Sequence, residues 1–198
     1  MNKRVLTSDL QTLWANLKRD DSHALKVLME ATYATMFGYG MKFSDRKEFV
    51  QDCIQDVFIA IWQHRHTLVV PDSPKGYLLT SLRRKMINNG VRGTWISLDA
   101  LHEYDLEHDL PLEKIVFGHE ELAYQMSLVQ KLLASLPDRQ REAVYLRYFQ
   151  NLDRREIALI MNISEQSVSN VLQKALHSLR KSLPVGTALL LFLTAYPF

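Results

Sequence analysis

Residues 153–181 read DRREIALIMNISEQSVSNVLQKALHSLRK, a pattern that predicts two short helices joined by a tight turn. Asp153, followed three residues later by Glu156, forms a capping box, in which each side chain satisfies an unpaired backbone N–H at a helix start. Asn162 tolerates the left-handed backbone that ends a helix, and Ser164 can cap the next helix. We therefore expect one helix to end near Asn162 and a second to begin just after Ser164.

Each of these two predicted helices has one apolar face. The apolar residues are Ile157, Ala158, Ile160 and Met161 in the first helix, and Val168, Val171, Leu172, Ala175, Leu176 and Leu179 in the second. The opposite face of the second helix is polar, with Gln166, Ser169, Asn170, Gln173, Lys174, His177, Arg180 and Lys181. A short supporting helix before a polar-faced one is the helix-turn-helix arrangement, whose second helix lies in the DNA major groove. An αα-hairpin in a helical bundle has the same pattern, so this segment alone leaves both readings open.

Length and composition indicate an ordinary soluble protein. The 198 residues suffice for one large or two small domains, and 47% are hydrophobic and 23% charged. The single cysteine, Cys53, excludes an internal disulfide. The N-terminus lacks the apolar core of a signal peptide, so we expect a cytoplasmic location.

The net charge of +2 is distributed unevenly along the chain. Residues 1–92 carry 14 Lys and Arg against 9 Asp and Glu, whereas residues 93–118 carry 1 against 6. Residues 119–182 carry 9 against 7, and the remaining tail has no charged residue. Two basic segments therefore flank an acidic connector, a polarity that bears on function more than the total charge does.

Helical periodicity extends over almost the whole chain, and no alternating strand pattern appears. Expected helices contain Leu6 to Leu17, Leu25 to Phe37, Asp45 to Arg65, a segment opened by Ser73-Pro74, one from about His119, and one opened by Pro137. Residues 94–117 have weak periodicity and many acids, so they are expected to form a linker. The predicted fold is all-α, with two small helical domains joined by an acidic linker.

Two further segments are candidates for binding. Residues 75–92 combine Lys and Arg, which can contact phosphates, with Tyr77, Asn88 and Asn89, which can stack on or hydrogen-bond unpaired bases. A solvated basic helix face would have the same composition. In the helix from Asp45 to Arg65, Phe58 and Trp62 share a face, which suits either core packing or an anchor for a partner protein.

Three motifs in this order resemble the extracytoplasmic-function (ECF) subfamily of RNA polymerase sigma factors. The segment QDCIQDVFIAIWQHR (51–65) is similar to their polymerase-binding helix, and KGYLLTSLRR (75–84), with Asn88 and Arg92 beyond it, is similar to their promoter-melting helix. The segment LPDRQREAVYLRYF (136–149), followed by EIA (156–158) and ISEQSV (163–168), resembles their C-terminal domain. The resemblance covers roughly residues 8–182.

The resemblance implies four segments: an N-terminal domain (1–93), an acidic linker (94–118), a C-terminal helix-turn-helix domain (119–183) and an apolar tail (184–198). It also implies two partners, core RNA polymerase and promoter DNA, and an anti-sigma factor as a third. The linker would thread the basic RNA channel of the polymerase. Such a protein has no reaction of its own and directs transcription initiation at a restricted set of genes.

The resemblance further assigns roles to individual positions. The residues implied to dock on the polymerase are Asp52, Gln55, Asp56, Phe58 and Trp62. Those implied to engage the minus-ten promoter element are Lys75, Tyr77, Arg83, Arg84, Asn88 and Arg92. Those implied for the minus-thirty-five element are Arg139, Arg141 and Arg154 as phosphate contacts, and Gln166, Ser169, Asn170, Gln173 and Lys174 on the recognition helix.

The chain departs from the family pattern in two places. Members often have Lys at the position of Ser169 and Arg at that of Val171, and the amides that remain here favour adenine rather than guanine. We therefore expect an adenine-rich minus-thirty-five site or binding that depends more on the polymerase. The second departure is the uncharged tail, whose fourteen residues from Val185 to Phe198 fall short of the ~20 needed to span a bilayer. Packing onto the C-terminal domain, a regulatory interface and weak membrane attachment remain open for it.

Other classes of function have little support in the sequence. His64 and His66 are spaced i, i+2 and so point to different faces of a helix, which disfavours a metal site. No Gly-rich phosphate loop or paired acid–base residues appear, so we expect no enzyme activity, cofactor or small-molecule substrate. Two rivals remain: a stand-alone helix-turn-helix regulator with a helical N-terminal sensor domain, and a helical adaptor without a nucleic-acid role.

Overall fold

The computed structural model describes residues 7–91, Trp95 and residues 131–182, and all regular elements in these ranges are helical. The N-terminal half contains α1 (Thr7–Leu17), α2 (Ser22–Met41), α3 (Lys47–Gln63) and α4 (Pro74–Asn88). The C-terminal half contains α5 (Asp138–Val144), α6 (Arg154–Met161) and α7 (Glu165–Ser182). The all-α prediction is confirmed. Apart from Trp95, the predicted linker lies outside the described residues, as do the apolar tail and most of the helix expected from His119.

The capping signals of the sequence are present in the structure. Asp153 and Glu156 form both bonds of the capping box: the backbone N–H of Glu156 donates to Asp153 at 2.8 Å, and that of Asp153 donates to Glu156 at 2.6 Å. Asn162 has the left-handed backbone (φ 54°, ψ 53°) that ends α6. The hydroxyl of Ser164 then accepts the backbone N–H of Ser167 at 3.1 Å. The predicted helix–turn–helix is therefore confirmed.

The helix opened by Pro137 differs from the regular one expected, because α5 continues as a π-helical turn over Tyr145–Phe149. The backbone N–H of Gln150 bonds to the carbonyl of Tyr145, five residues earlier, at 3.1 Å. Within this turn the rings of Tyr145 and Phe149 stack with centroids 5.7 Å apart. Tyr145 also stacks on Tyr39 of α2 at 6.2 Å. The π-helical turn thus lies where this segment contacts the N-terminal half, and the sequence pattern did not predict it.

Helices α1–α4 enclose a core in which α2 approaches α3 and α4 closely at Gly40. A Cβ atom at this glycine would lie 2.5 Å from Cγ1 of Val50 and 3.6 Å from Leu82 and Met86. Val50 is fully buried, so it has little room to move away. Glycine is therefore required here by the close approach of the helices.

We expect Gly40→Ala to lower the free energy of unfolding by about 1–2 kcal/mol. The methyl group overpacks the contact with Val50, a cost that exceeds the ~1 kcal/mol by which Ala is the better helix former. Urea denaturation followed by circular dichroism measures the change. Ala34→Ser, at an exposed position of the same helix, should change stability by less than ~0.5 kcal/mol. A stability of Gly40→Ala equal to or above that of the wild type would contradict this packing.

The two halves pack on each other and share one continuous apolar core. Helix α6 lies against α4, and the aromatic rings of Tyr145 and Trp95 pack with centroids 5.6 Å apart. Trp95 also contacts Phe43, two residues beyond the end of α2, with centroids 5.2 Å apart. This arrangement determines which of the predicted site residues are accessible.

Candidate nucleic-acid and partner interfaces

The outer face of α3 presents a mainly polar surface that includes an exposed isoleucine. Asp52, Gln55 and Asp56 are exposed along this face, and Ile59 is 53% exposed one turn further on. Trp62 is half-buried, with the guanidinium of Arg65 4.1 Å from its ring centroid. A stripe of acids and amides beside an exposed isoleucine and a tryptophan edge is suited to docking a partner protein.

Phe58 differs from the other predicted polymerase-binding residues in its position. Its side chain belongs to the core and is only 3% exposed, because position 58 turns toward the interior of the four helices. Phe58 therefore packs in the core beneath the exposed face of α3. The four remaining residues, Asp52, Gln55, Asp56 and Trp62, reach the surface on one side of α3.

An ion pair connects the α3 face to α4. The ammonium of Lys85 lies 2.8 Å from a carboxylate oxygen of Asp56. The hydrogen bond to Asp56 raises the pKa of Lys85 above its ordinary value. Both groups are substantially exposed to solvent, so the pair orients the two helix faces and contributes little to stability.

The predicted minus-ten residues on α4 differ in accessibility: some are exposed to solvent, and others contact the rest of the protein. Arg84 and Asn88 are exposed, whereas Tyr77 packs edge-on against Trp14 with centroids 5.0 Å apart. Lys75 donates to the backbone carbonyl of Gln150, in the C-terminal half, at 2.8 Å. The sixth predicted residue, Arg92, lies outside the described residues.

Arg83 is also engaged with the C-terminal half, through Glu142 of α5. Its Nε donates to Oε1 of Glu142 at 2.8 Å and its Nη2 to Oε2 at 3.4 Å. The hydroxyl of Tyr39 donates to the same Oε1 at 2.7 Å. We call this set of three residues the Glu142 bridge.

The electrostatics of the Glu142 bridge follow from its burial. Removal from water raises the pKa of Tyr39 well above its ordinary value, and the nearby Glu142 carboxylate raises it further. Burial lowers the pKa of Arg83, but the charge of Glu142 and its hydrogen bonds outweigh this and leave the pKa raised. Both donors therefore keep their protons at neutral pH.

The outer face of α7 is accessible over its first three turns. Gln166, Asn170, Gln173 and Lys174 are exposed, and the amide of Gln166 donates to that of Asn170 at 3.3 Å. The hydroxyl of Ser169 donates to the carbonyl of Glu165 at 3.2 Å. These side chains form a row of amides and one cation, the groups that hydrogen-bond to base edges and phosphates.

Of the three arginines predicted to contact phosphate, two are exposed and one is buried. Arg139 and Arg154 are exposed, and Arg154 donates to the hydroxyl of Ser169 at 3.4 Å, beside the recognition face. Arg141 is 8% exposed and donates to the carbonyls of Ala134 and Leu136 at 3.0 and 2.9 Å. Burial lowers its pKa. These contacts give Arg141 a structural role at the start of α5, so we leave it out of the proposed DNA surface.

Sequence reasoning missed the residues that hold the two halves together. Tyr39, Glu142 and the backbone of Gln150 were not candidates, although each bonds to a side chain from the other half. Their separations in sequence, 103 residues for Tyr39 and Glu142, leave no local periodicity to detect. The one available signal is that Glu142 is an acid in the otherwise basic stretch Arg139 to Arg147.

The described residues contain neither a metal-binding cluster nor a membrane-spanning helix. No group of three or more His, Cys, Asp or Glu side chains in these ranges is arranged to hold a metal ion. Within the same part of the chain, no helix has both the length and the apolar character needed to cross a membrane.

Two protein-domain families match the chain, in the same order as the motifs found in the sequence. Sigma-70 region 2 matches residues 28–96, which include α3 and α4, and Sigma-70, region 4 matches residues 126–179, which include α5–α7 up to Leu179. Together they cover more than half of the chain. The chain belongs to the ECF sigma factors. A sigma factor is a regulatory protein that associates with RNA polymerase, binds promoter DNA and directs transcription initiation.

The sequences of curated relatives align with nearly the full length of this sigma factor. It is 23% identical over 185 residues to the ECF RNA polymerase sigma factor SigK of Mycobacterium bovis (strain BCG / Pasteur 1173P2), an alignment that covers 91% of this chain and 97% of the relative. SigK of Mycobacterium ulcerans (strain Agy99) is 21% identical over 183 residues, covering 89% and 95%. Among solved structures, that of CnrH in complex with the cytosolic domain of CnrY shares the fold, with a TM-score of 0.57, 16% identity and coverage of 86% and 94%.

Proposed function

We propose that this sigma factor binds the polymerase and the two promoter elements through three separate surfaces. Asp52, Gln55, Asp56 and Trp62 of α3 dock on core polymerase. Lys75, Tyr77, Arg83, Arg84, Asn88 and Arg92 engage the minus-ten element and stabilise its separated strands. Arg139, Arg154, Gln166, Ser169, Asn170, Gln173 and Lys174 bind the minus-thirty-five element.

The observation that best supports this assignment is that the exposed side chains on α3 differ in chemical type from those on α4 and α7. The α3 face combines acids, amides and apolar edges, as protein interfaces do. Helix α4 presents basic and amide groups, and α7 presents amides with Lys174, as nucleic-acid surfaces do. We further propose that the protein acts in the cytoplasm on a restricted gene set, and that an anti-sigma factor regulates it.

A titration of core polymerase tests the first part of the proposal. Fluorescently labelled full-length protein should form a one-to-one complex with core polymerase, and the complex should retain a DNA fragment that carries both promoter elements. Absence of the complex at micromolar concentrations would reject the docking role of α3, whatever the protein did with DNA alone.

The exposed amides of α7 lead us to expect adenine in the minus-thirty-five site. Asn and Gln pair bidentately with adenine, each such contact being worth ~1–3 kcal/mol of discrimination. Selection of bound promoters from a random library should enrich adenine, and Asn170→Ala should reduce the preference at one position by about tenfold. Arg139→Gln should instead weaken binding to all sequences alike. A selected site centred strictly on guanine would contradict this reading of α7.

A further inference from the structure

The end of α3 is connected to the turn between α1 and α2 through Arg65. The Nε of Arg65 donates to Oδ1 of Asp20 at 2.6 Å, and its Nη1 donates to the backbone carbonyl of Trp62 at 2.7 Å. The same guanidinium lies 4.1 Å from the centroid of the Trp62 ring. One cation thus joins a carboxylate of the α1–α2 turn to a residue of the proposed polymerase-docking face.

These three contacts fix the guanidinium of Arg65 in one direction. Its bond to the carbonyl of Trp62 satisfies an acceptor in the last turn of α3, where the helix dipole also favours a cation. The carboxylate of Asp20 adds a charge-assisted hydrogen bond, which is short and directional. The cation–π contact then favours the orientation in which the Trp62 ring faces the guanidinium.

Asp20 has a backbone conformation that suits glycine better than aspartate. Its φ is 67°, in the left-handed region, within the turn between α1 and α2. Glycine adopts this conformation without steric cost, whereas aspartate adopts it with some strain. The backbone therefore gives no reason for an aspartate at this position, and the contact of its side chain with Arg65 gives one.

The contact between Asp20 and Arg65 adds little to the stability of the fold, because the carboxylate is 57% exposed. Nε2 of His66 lies 3.3 Å from the same oxygen and is on an equally exposed side chain. The contact instead restricts the motion of Trp62. A side chain that is ordered before binding loses less conformational entropy when a partner docks on it.

We propose that Asp20 is a positioning residue for polymerase docking, which acts through Arg65 to hold the Trp62 ring in the orientation that core polymerase binds. The inference rests on the proposed assignment of the α3 face to polymerase docking. It extends the residues on which docking depends from α3 to the turn between α1 and α2.

Asp20→Gly in the full-length protein tests the proposal, because glycine removes the carboxylate and suits the left-handed backbone. Helical content and thermal midpoint should match those of the wild type. Affinity for core polymerase should fall about fivefold, the combined size of a surface ion pair and an exposed cation–π contact. Asp20→Asn should give a smaller loss, since its amide oxygen still accepts a weaker hydrogen bond from Arg65.

The matched control is Asp21→Asn, which removes the same charge one residue away. Asp21 caps α2 by accepting the backbone N–H of Ala24 at 3.1 Å, and asparagine caps a helix equally well. This variant should bind core polymerase like the wild type.

Two further measurements show whether Asp20 acts through Trp62. In a Trp62→Ala background, Asp20→Gly should cause no further loss of affinity, whereas independent contributions would add. Acrylamide quenching of tryptophan fluorescence, measured without polymerase, should increase in Asp20→Gly. Trp14 and Trp95 are buried, at 0% and 5% exposure, so the half-buried Trp62 supplies the accessible emission.

Unchanged affinity or unchanged quenching in folded Asp20→Gly would overturn the proposal, as would an equal loss in Asp21→Asn or full additivity with Trp62→Ala. If Trp62→Ala itself weakens polymerase binding, these results leave the proposed function standing. Wild-type affinity of Trp62→Ala would instead reject the docking role of Trp62, and the positioning role of Asp20 with it.

Discussion

Asp52→Lys is expected to weaken binding to core RNA polymerase by about 30-fold, which corresponds to ~2 kcal/mol, the loss typical of a central interface residue. The exposed carboxylate lies at the start of the polar stripe of α3, one turn before Gln55 and Asp56. Reversal of its charge removes the attraction to a basic partner surface and adds a repulsion. Equilibrium titration of labelled protein with core polymerase measures the change.

The control for Asp52→Lys is Glu30→Lys on α2, an identical change of net charge at a site that is 63% exposed. Glu30 lies outside the proposed interface, so polymerase affinity should stay within about twofold of the wild type. Both positions are exposed, so thermal stability should be nearly unaffected in both variants. Equal loss of affinity in the two variants would indicate a nonspecific charge effect and would contradict the docking role of α3.

Arg84→Glu is expected to reduce promoter-specific transcription by about 30- to 100-fold while leaving polymerase binding unchanged. Arg84 is exposed on α4, and each lost phosphate or base contact by arginine costs ~1–3 kcal/mol, to which charge reversal adds repulsion from the DNA backbone. Transcription from a fully duplex promoter and from one with a pre-melted minus-ten region measures the effect.

The comparison of these two templates identifies the step at which Arg84 acts. If Arg84 stabilises separated strands, pre-melting should restore part of the lost activity. Lys26→Glu, the same charge change on α2 at a site that is 71% exposed, should leave both templates transcribed as by the wild type. Full activity of Arg84→Glu on the duplex promoter would remove α4 from the proposed minus-ten surface.

Local chemistry made much of the fold predictable from sequence. The capping box at Asp153, the left-handed turn at Asn162 and the Ser73-Pro74 helix start each depend on residues within a few positions of one another. Apolar periodicity likewise located the helix faces that bury Ile157 and Leu172. Such features are determined by neighbouring residues, so a sequence pattern contains them.

Features that depend on distant partners were not predictable. Phe58 and Trp62 share a helix face in sequence, but the packing of α1–α4 buries Phe58 and leaves Trp62 half-buried. Arg141 has the composition of a DNA contact, yet its position beside Ala134 and Leu136 turns it inward. Tyr145, in the π-helical turn, likewise stacks on Tyr39, more than 100 residues away.

The residues of the proposed surfaces differ in how accessible they are. The α3 face and the α7 amides are exposed. Arg83 and Lys75, by contrast, bond to the C-terminal half.

The central claim is that this chain gives core RNA polymerase the ability to select and open a bipartite promoter. The most direct test is transcription by purified core polymerase from a library of random upstream sequences, with and without the full-length protein. The account predicts that the protein causes transcripts to start downstream of a shared pair of elements, whose spacing both surfaces can reach. Transcripts that show no enriched sequence, or that are the same with and without the protein, would contradict it.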